Sequence, residues 1–327
     1  MERNRSYDIA KFLAIFSVII YHVENYLIDS QIVYSFVNTF FLSIFFVMSG
    51  LLSSTSKIVK TNFIRRQICR LLLPFVSCFV VYNLFMAVLY RQPVFIQNDF
   101  ADAKSGYWFL LTLFEFFCVF KCILKIINKS QSLFYKLIVL FSPFILVSFL
   151  CVFLPETIAG WLSLMSFRRY YLFFAAGFAV SNIFIVNDIY KKKWFFFSTI
   201  VYIIGSIIYV CYVQSVSSIA DLSTWYIVNI AGCHFWLCLC RQFEDKFSKH
   251  IVLIIGQNTL GIYTLHFFPL RTIQYFSENG FLIMGGGKML PLFWFCAFVV
   301  AILAIAFLMC KMVKSNKILS LIFLGQS

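Results

Sequence analysis

The residues Arg5-Ser6-Tyr7-Asp8-Ile9-Ala10-Lys11 lead into an apolar stretch, Phe12 to Ile20, that closes on Tyr21-His22. A helix turns about 100° per residue, so Lys11 and His22, three turns apart, fall within about 20° of one another, and Asp8 lies about 40° from His22. A carboxylate, an amine and an imidazole thus share one stripe of an otherwise apolar helix. Ionisable groups are costly in such a setting and mark function. An imidazole, whose reference pKa is near neutral, suits the deprotonation of a hydroxyl. The plainer alternative for His22 is a packed, hydrogen-bonded core histidine.

The elements that position this stripe follow from composition. The chain has 327 residues, 62% hydrophobic and 12% charged, with 43 Phe, whereas a soluble domain carries about 25% charged residues. The expected fold is an all-α polytopic membrane protein of about ten transmembrane helices, a single membrane-embedded domain over residues 1–327 with no separate soluble domain. The first apolar stretch is long and leads straight into a second without a small-residue cleavage site, so it reads as a retained helix and not a secretory signal. Eleven Cys are scattered through apolar runs with no C-x-x-C pair or metal spacing; they read as small buried hydrophobes, and neither disulfides nor a metal is expected. The net charge of +14 is not gathered into an arm or a soluble domain, so no nucleic-acid partner is expected.

With about twenty apolar residues needed per crossing, the spans fall at Ile9 to Ile28, Val33 to Leu52, Leu71 to Tyr90, Tyr107 to Ile127, Phe134 to Leu154, Tyr170 to Val186, Trp194 to Val213, Ser223 to Leu239, Ile251 to Leu270 and Leu290 to Met312. If the N-terminus is cytoplasmic, 21 of the 27 Lys and Arg fall on inner segments. Six are left outside: Arg91, Lys104, Arg168, Arg169, Arg271 and Lys288. The positive-inside rule thus fits ten spans with both termini in the cytoplasm. The run Gly285-Gly286-Gly287-Lys288 lacks the Ser or Thr and the flanking strand of a phosphate loop, and reads as a flexible turn.

Depth along these helices selects further groups. His22 lies roughly 20 Å from the inner end of its helix, in the outer half of the bilayer core. Glu115, roughly 12 Å below the outer face, and His234 and His266 share that slab. Glu115 either orients and stabilises the imidazolium or makes a structural interhelical hydrogen bond; Glu24, about 200° round the wheel from His22, is less suited to assist it. On the inner side Lys57, Lys60, Arg65, Arg66 and Arg70 precede the third span. Such a cluster can meet anionic lipid, but Arg66 and Arg70, four apart, share a helical face suited to phosphates. Arg168 and Arg169 face lipid headgroups or an acidic or pyrophosphate-linked glycan.

Taken in order, Arg5-x-x-Asp8-x-x-Lys11 with His22, Phe45-Phe46-Val47-Met48-Ser49-Gly50, the basic cluster ending Arg70-Leu71-Leu72-Leu73-Pro74, Trp108-Phe109-Leu110 and Asn258-Thr259-Leu260-Gly261-Ile262-Tyr263-Thr264-Leu265-His266 resemble acyltransferase family 3, integral-membrane acyltransferases of surface glycans. The resemblance implies a multi-pass protein of a bacterial inner membrane that moves an acyl group, most often acetyl, from cytoplasmic acyl-CoA to a glycan hydroxyl. It implies that His22 is the essential histidine and that Lys11 and Arg70 are essential basic positions. Many members carry Arg where Lys11 stands, and Lys keeps the charge but loses the bidentate fork. On this reading the acyl-CoA, acetyl-CoA above all, docks at Arg66 and Arg70, with its thioester along Asp8, Lys11 and His22. Glu115 and His266 assist, and Arg168 and Arg169 contact the acceptor. Direct transfer and a transient acyl-histidine both need His22. A glycan or lipid-linked sugar transporter is the alternative, since it too would use buried charge, although no broken pair of helices stands out in the sequence.

Reporter fusions after Lys129 and Lys193 are expected to report cytoplasm, and fusions after Asp102 and Ser217 the outside. An outside signal after Lys193 would overturn the count of spans.

Overall fold

The chain runs through α1 (Arg5–Val23), a π-helical turn (Glu24–Ile28), α2 (Gln31–Val37), α3 (Phe41–Leu51), α4 (Thr55–Ile58), α5 (Phe63–Gln67), a second π-turn (Ile68–Leu72) and α6 (Leu73–Tyr90). A 3-10 turn (Lys104–Gly106) then leads to α7 (Trp108–Ile127), α8 (Leu133–Phe153), α9 (Glu156–Trp161), α10 (Leu164–Asn182) and α11 (Lys192–Ile208), which ends in a third π-turn (Tyr209–Val213). The remainder is α12 (Ile219–Gln242), α13 (Glu244–Phe247), α14 (His250–Gln257), α15 (Thr259–Leu265), α16 (Phe267–Glu278), α17 (Met289–Lys314) and α18 (Lys317–Leu324). This computed structural model describes residues 4–28, 31–91, 104–129, 131–183, 190–213, 218–247, 250–280 and 289–326, and among them there is no strand. The run Gly285 to Lys288 lies outside the described residues.

Among the described residues seven helices are long and apolar enough to cross a membrane, and a bent pair adds an eighth. Two more of the expected spans form as the helices α7 and α10, but they carry Glu115, Lys121 and Lys125, and Arg168 and Arg169, within them. Three differences from the sequence reading bear on the candidate site residues. The ninth span is not one rod: it bends by 69° between Gln257 and Thr259 and continues to Glu278. Helix α10 starts six residues earlier than Tyr170, so Arg168 and Arg169 sit on its second turn and not in a loop. The third span starts at Phe63, which puts Arg65, Arg66 and Arg70 on the helical run itself.

The chain divides into two units, residues 1–45 with 186–310 and residues 46–185 with 311–327. In the first, α1 buries Ala10, Ala14, Ile15, Val18 and Ile19 and packs on α14, α12 and α15. Gly256 on α14 lies where a Cβ would collide with the backbone carbonyl of Asp8, so the two backbones touch and no larger residue fits. Apolar surface alone does not drive helices together in lipid, so polar ties and small residues matter more. The ties here are Thr39 Oγ1 to Tyr202 OH at 3.2 Å, Ser43 Oγ donating to Asn229 Oδ1 at 2.6 Å, and Trp236 Nε1 donating to Tyr202 OH at 3.2 Å.

The second unit is built on rings. Phe46 meets Phe116 with centroids 5.2 Å apart, Phe120 meets Phe174 at 4.7 Å, and the Tyr171 hydroxyl donates to the Leu140 carbonyl at 2.9 Å. Gly50 closes the Phe45 to Gly50 motif, and its physical role is visible: a Cβ there would run into the Phe174 carbonyl, and one on Gly177 into the Val47 carbonyl. Helices α3 and α10 therefore cross in backbone contact. Gly50→Val is expected to force them apart at a cost of roughly 1–3 kcal/mol or more, read as a lower melting temperature of the purified protein. An unchanged melt would remove the close crossing as a source of stability.

Candidate active site

Helix α1 delivers His22 one residue before its end, and the π-turn that follows carries Tyr26. His266 stands at the joint of α15 and α16, the last residue capping one helix and the first capping the next. In the first unit these two imidazoles are neighbours, with centroids 5.2 Å apart. Phe267 packs 4.7 Å from the His22 ring, Tyr21 meets it edge-on at 5.2 Å and Tyr26 stacks at 5.9 Å.

The hydrogen bonds of the pair fix one tautomer. His266 Nδ1 lies 2.7 Å from the Tyr263 carbonyl; a carbonyl only accepts, so Nδ1 carries a proton and the neutral ring keeps its lone pair on Nε2. That Nε2 is buried and meets no partner among the described residues, and the same holds for Nδ1 of His22. Each orphaned atom costs about 1–3 kcal/mol. The two atoms belong to adjacent rings, and a hydroxyl placed there could donate to His266 Nε2.

Two residues around the pair escaped the sequence reading. The Arg271 guanidinium lies 3.9 Å from the Tyr26 ring centroid and donates to Gln274 Oε1 at 2.7 Å. It had counted only as a basic residue on the unexpected side. Tyr26 follows His22 by four residues, the one local signal that could have found it.

Elsewhere in this unit Asp8, 3% exposed, pairs with Lys11 Nζ at 3.5 Å in the first turns of α1. A carboxylate there also suits the positive end of the helix dipole. Lys11 and His22 keep their common stripe, but eleven residues of helix separate them by about 16 Å. They make two sites on one helix, not one cluster. His234 lies eight residues before the end of α12, and its Nδ1 bonds Ser198 Oγ at 2.7 Å. Ser198 passes its own hydrogen to the Phe195 carbonyl at 2.9 Å, and Cys238 Sγ lies 3.6 Å from His234 Nε2.

In the second unit Arg66 and Arg70 come together with Lys57, Lys60 and Arg65 around a cavity of about 800 Å³, and among the described residues no carboxylate lines it. Arg70 sits in the π-turn, where Leu73 N–H reaches back five residues to the Ile68 carbonyl. The next residue, Pro74, has no N–H to offer the Arg70 carbonyl, so the wide turn falls where an α-helical bond is missing anyway. Lys121 Nζ donates to the Lys60 carbonyl at 2.6 Å and steadies the rim.

Glu115 lies on α7 with Oε2 buried and without a hydrogen-bond partner among the described residues. Lys104, one of the six basic residues that the sequence leaves outside, is only 2% exposed and donates to the Gly160 carbonyl at 2.6 Å. Arg168 and Arg169 are half-buried, the Arg169 guanidinium 5.9 Å from the Tyr170 ring centroid. All eleven cysteines are free thiols, and no group of three or more His, Cys, Asp or Glu suited to a metal occurs among the described residues.

A family model described as an acyltransferase domain matches residues 4–311. The chain belongs to acyltransferase family 3. Comparison with curated proteins and with solved structures gives no match. The match spans both units, and it includes the imidazole pair, the Asp8–Lys11 pair, the five cations of the cavity and Glu115. It stops before α18, which begins at Lys317.

Proposed function

We propose that this acyltransferase moves an acyl group, acetyl in the simplest case, from acyl-CoA in the cytoplasm to a hydroxyl of a cell-surface or lipid-linked glycan. The observation that carries the reading is the pair of adjacent imidazoles, each with a buried, unpartnered ring nitrogen. His22 is half-buried whereas His266 is 0% exposed, so an incoming hydroxyl reaches His22 first. His22 takes its proton, the oxygen attacks the thioester carbonyl, and the coenzyme thiolate leaves. The lone pair on His266 Nε2, oriented by the Tyr263 carbonyl, is then a neighbouring acceptor for the His22 imidazolium.

The other assignments rest on charge. Five cations without a carboxylate among them suit the phosphates of coenzyme A, which Arg66 and Arg70 can grip through paired N–H groups. Asp8 holds Lys11 in a fixed geometry, and Lys11 supplies positive charge for the donor. Glu115 supports the protonated form of the reacting group, and Arg168 and Arg169 suit an acidic or pyrophosphate-linked acceptor.

A transporter reading gains from the broken span at Asn258, the kind of helix that substrates bind in transporters. The bend has another reading here: the arm that follows it, Thr259–Glu278, carries His266 beside His22. The two readings part in one measurement: a transporter leaves no acyl group on the glycan in any strain.

His22→Ala is expected to insert normally, since the span becomes more apolar, and to lose roughly a hundredfold to ten-thousandfold in rate. Mass analysis of the surface glycan would then show no acyl group; near-normal acylation by inserted protein would refute the role. Lys11→Arg is expected to keep much of the activity and Lys11→Ala to lose most of it.

The donor assignment has its own test in purified protein. Arg70→Ala is expected to weaken acetyl-CoA binding, by a factor that shrinks as salt screens the wild-type contact. Unchanged affinity in both Arg66→Ala and Arg70→Ala would move the donor elsewhere.

A further inference from the structure

We propose that the C-terminal helix α18, through the glycine that ends it, is part of the donor site and holds Arg70 in place for the donor's phosphates. The inference rests on the donor reading above and extends it to a segment beyond the matched residues 4–311.

Helix α18 is well specified by its own residues. Asn316 Oδ1 accepts from the N–H groups of Ile318 and Leu319 at 2.9 and 3.2 Å, which caps the start. Gly325 closes the end in the left-handed region, φ 61°. Its N–H bonds the Leu321 carbonyl at 3.1 Å and the Gln326 N–H bonds the Ser320 carbonyl at 3.2 Å, the double closure that favours glycine. The helix packs on α6 and on the π-turn, with Leu324 fully buried.

That end lies against the arginine. Leu321 and Gly325 line the same cavity as Arg65, Arg66 and Arg70. A Cβ on Gly325 would stand 2.5 Å from Arg70 Cα, 2.6 Å from the Arg70 carbonyl oxygen and 2.7 Å from that of Cys69. All three are backbone atoms and cannot swing aside as a side-chain tip can. They belong to a π-turn followed by Pro74, a stretch with no regular α-helical bond from residue 74 to hold it. Backbone packing from α18 supplies the missing restraint. Arg70 is thereby a phosphate-gripping residue, and Gly325 is its positioning residue.

A double-mutant cycle on the purified full chain, read as the dissociation constant for acetyl-CoA, tests this. Gly325→Val is expected to weaken binding several-fold in the wild-type background and to have no further effect in Arg70→Ala, because it acts through that side chain. Gly325→Ala, which adds one carbon, is expected to show the same pattern in smaller degree, and serves if the valine protein fails to accumulate. Equal losses in both backgrounds would make Gly325 a wall of the pocket and not a clamp on Arg70, and would overturn the proposal; so would unchanged affinity in folded Gly325→Val. Both of these outcomes leave the donor assignment standing if Arg70→Ala alone weakens binding. If Arg70→Ala has no effect, the donor assignment fails and this proposal fails with it.

Discussion

Inside an apolar bilayer every backbone polar group must find a partner within the protein, and this constraint decides where the helices of this chain can break. A break frees a carbonyl or an N–H, and the cost of leaving it unmade is several kcal/mol. At the bend after Gln257 the Asn258 amide donates to the Ile254 carbonyl at 2.6 Å. Eight residues later the His266 ring donates to the Tyr263 carbonyl. At Arg70 the π-turn closes through the Leu73 N–H. The irregular stretches are thus affordable only because particular side chains and wider turns repair them.

The same repairs fix the geometry of the candidate site. The bond that satisfies the Tyr263 carbonyl also chooses the His266 tautomer, so a structural need leaves a lone pair on Nε2 facing no partner. His22 lies where α1 gives way to a π-turn, and Arg70 lies within another. Wide turns of this kind recur at functional sites because they re-aim a side chain without ending the helix. His22, His266 and Arg70 thus stand at or beside irregular backbone, whereas Asp8, Lys11, Glu115, Arg168 and Arg169 lie on regular helix.

Close backbone contacts do the fixing. Gly256 against Asp8 seats α14 on the first turns of α1 at the Asp8–Lys11 pair, Gly50 against Phe174 joins α3 to α10, and Gly325 seats α18 on Arg70. These contacts place helices by shape, which suits an environment where apolar surface gains little by turning away from lipid.

The sequence by itself determined the class of the fold and most of the helices, because a bilayer demands long apolar runs and charge avoids them. Local spacing gave the Asp8, Lys11 and His22 stripe, and it gave the basic cluster before Pro74. Motifs in order gave the family. Tertiary structure alone decided that His266 and His22 are neighbours, since 244 residues separate them and no local period links the two. It also decided that Arg271 lies over Tyr26, that Lys104 is buried, that His234 spends itself on Ser198, and that α18 reaches Arg70. Each of these depends on where a helix bends or how nearly two backbones approach, which is set by contacts between distant segments and leaves no period in the sequence to read.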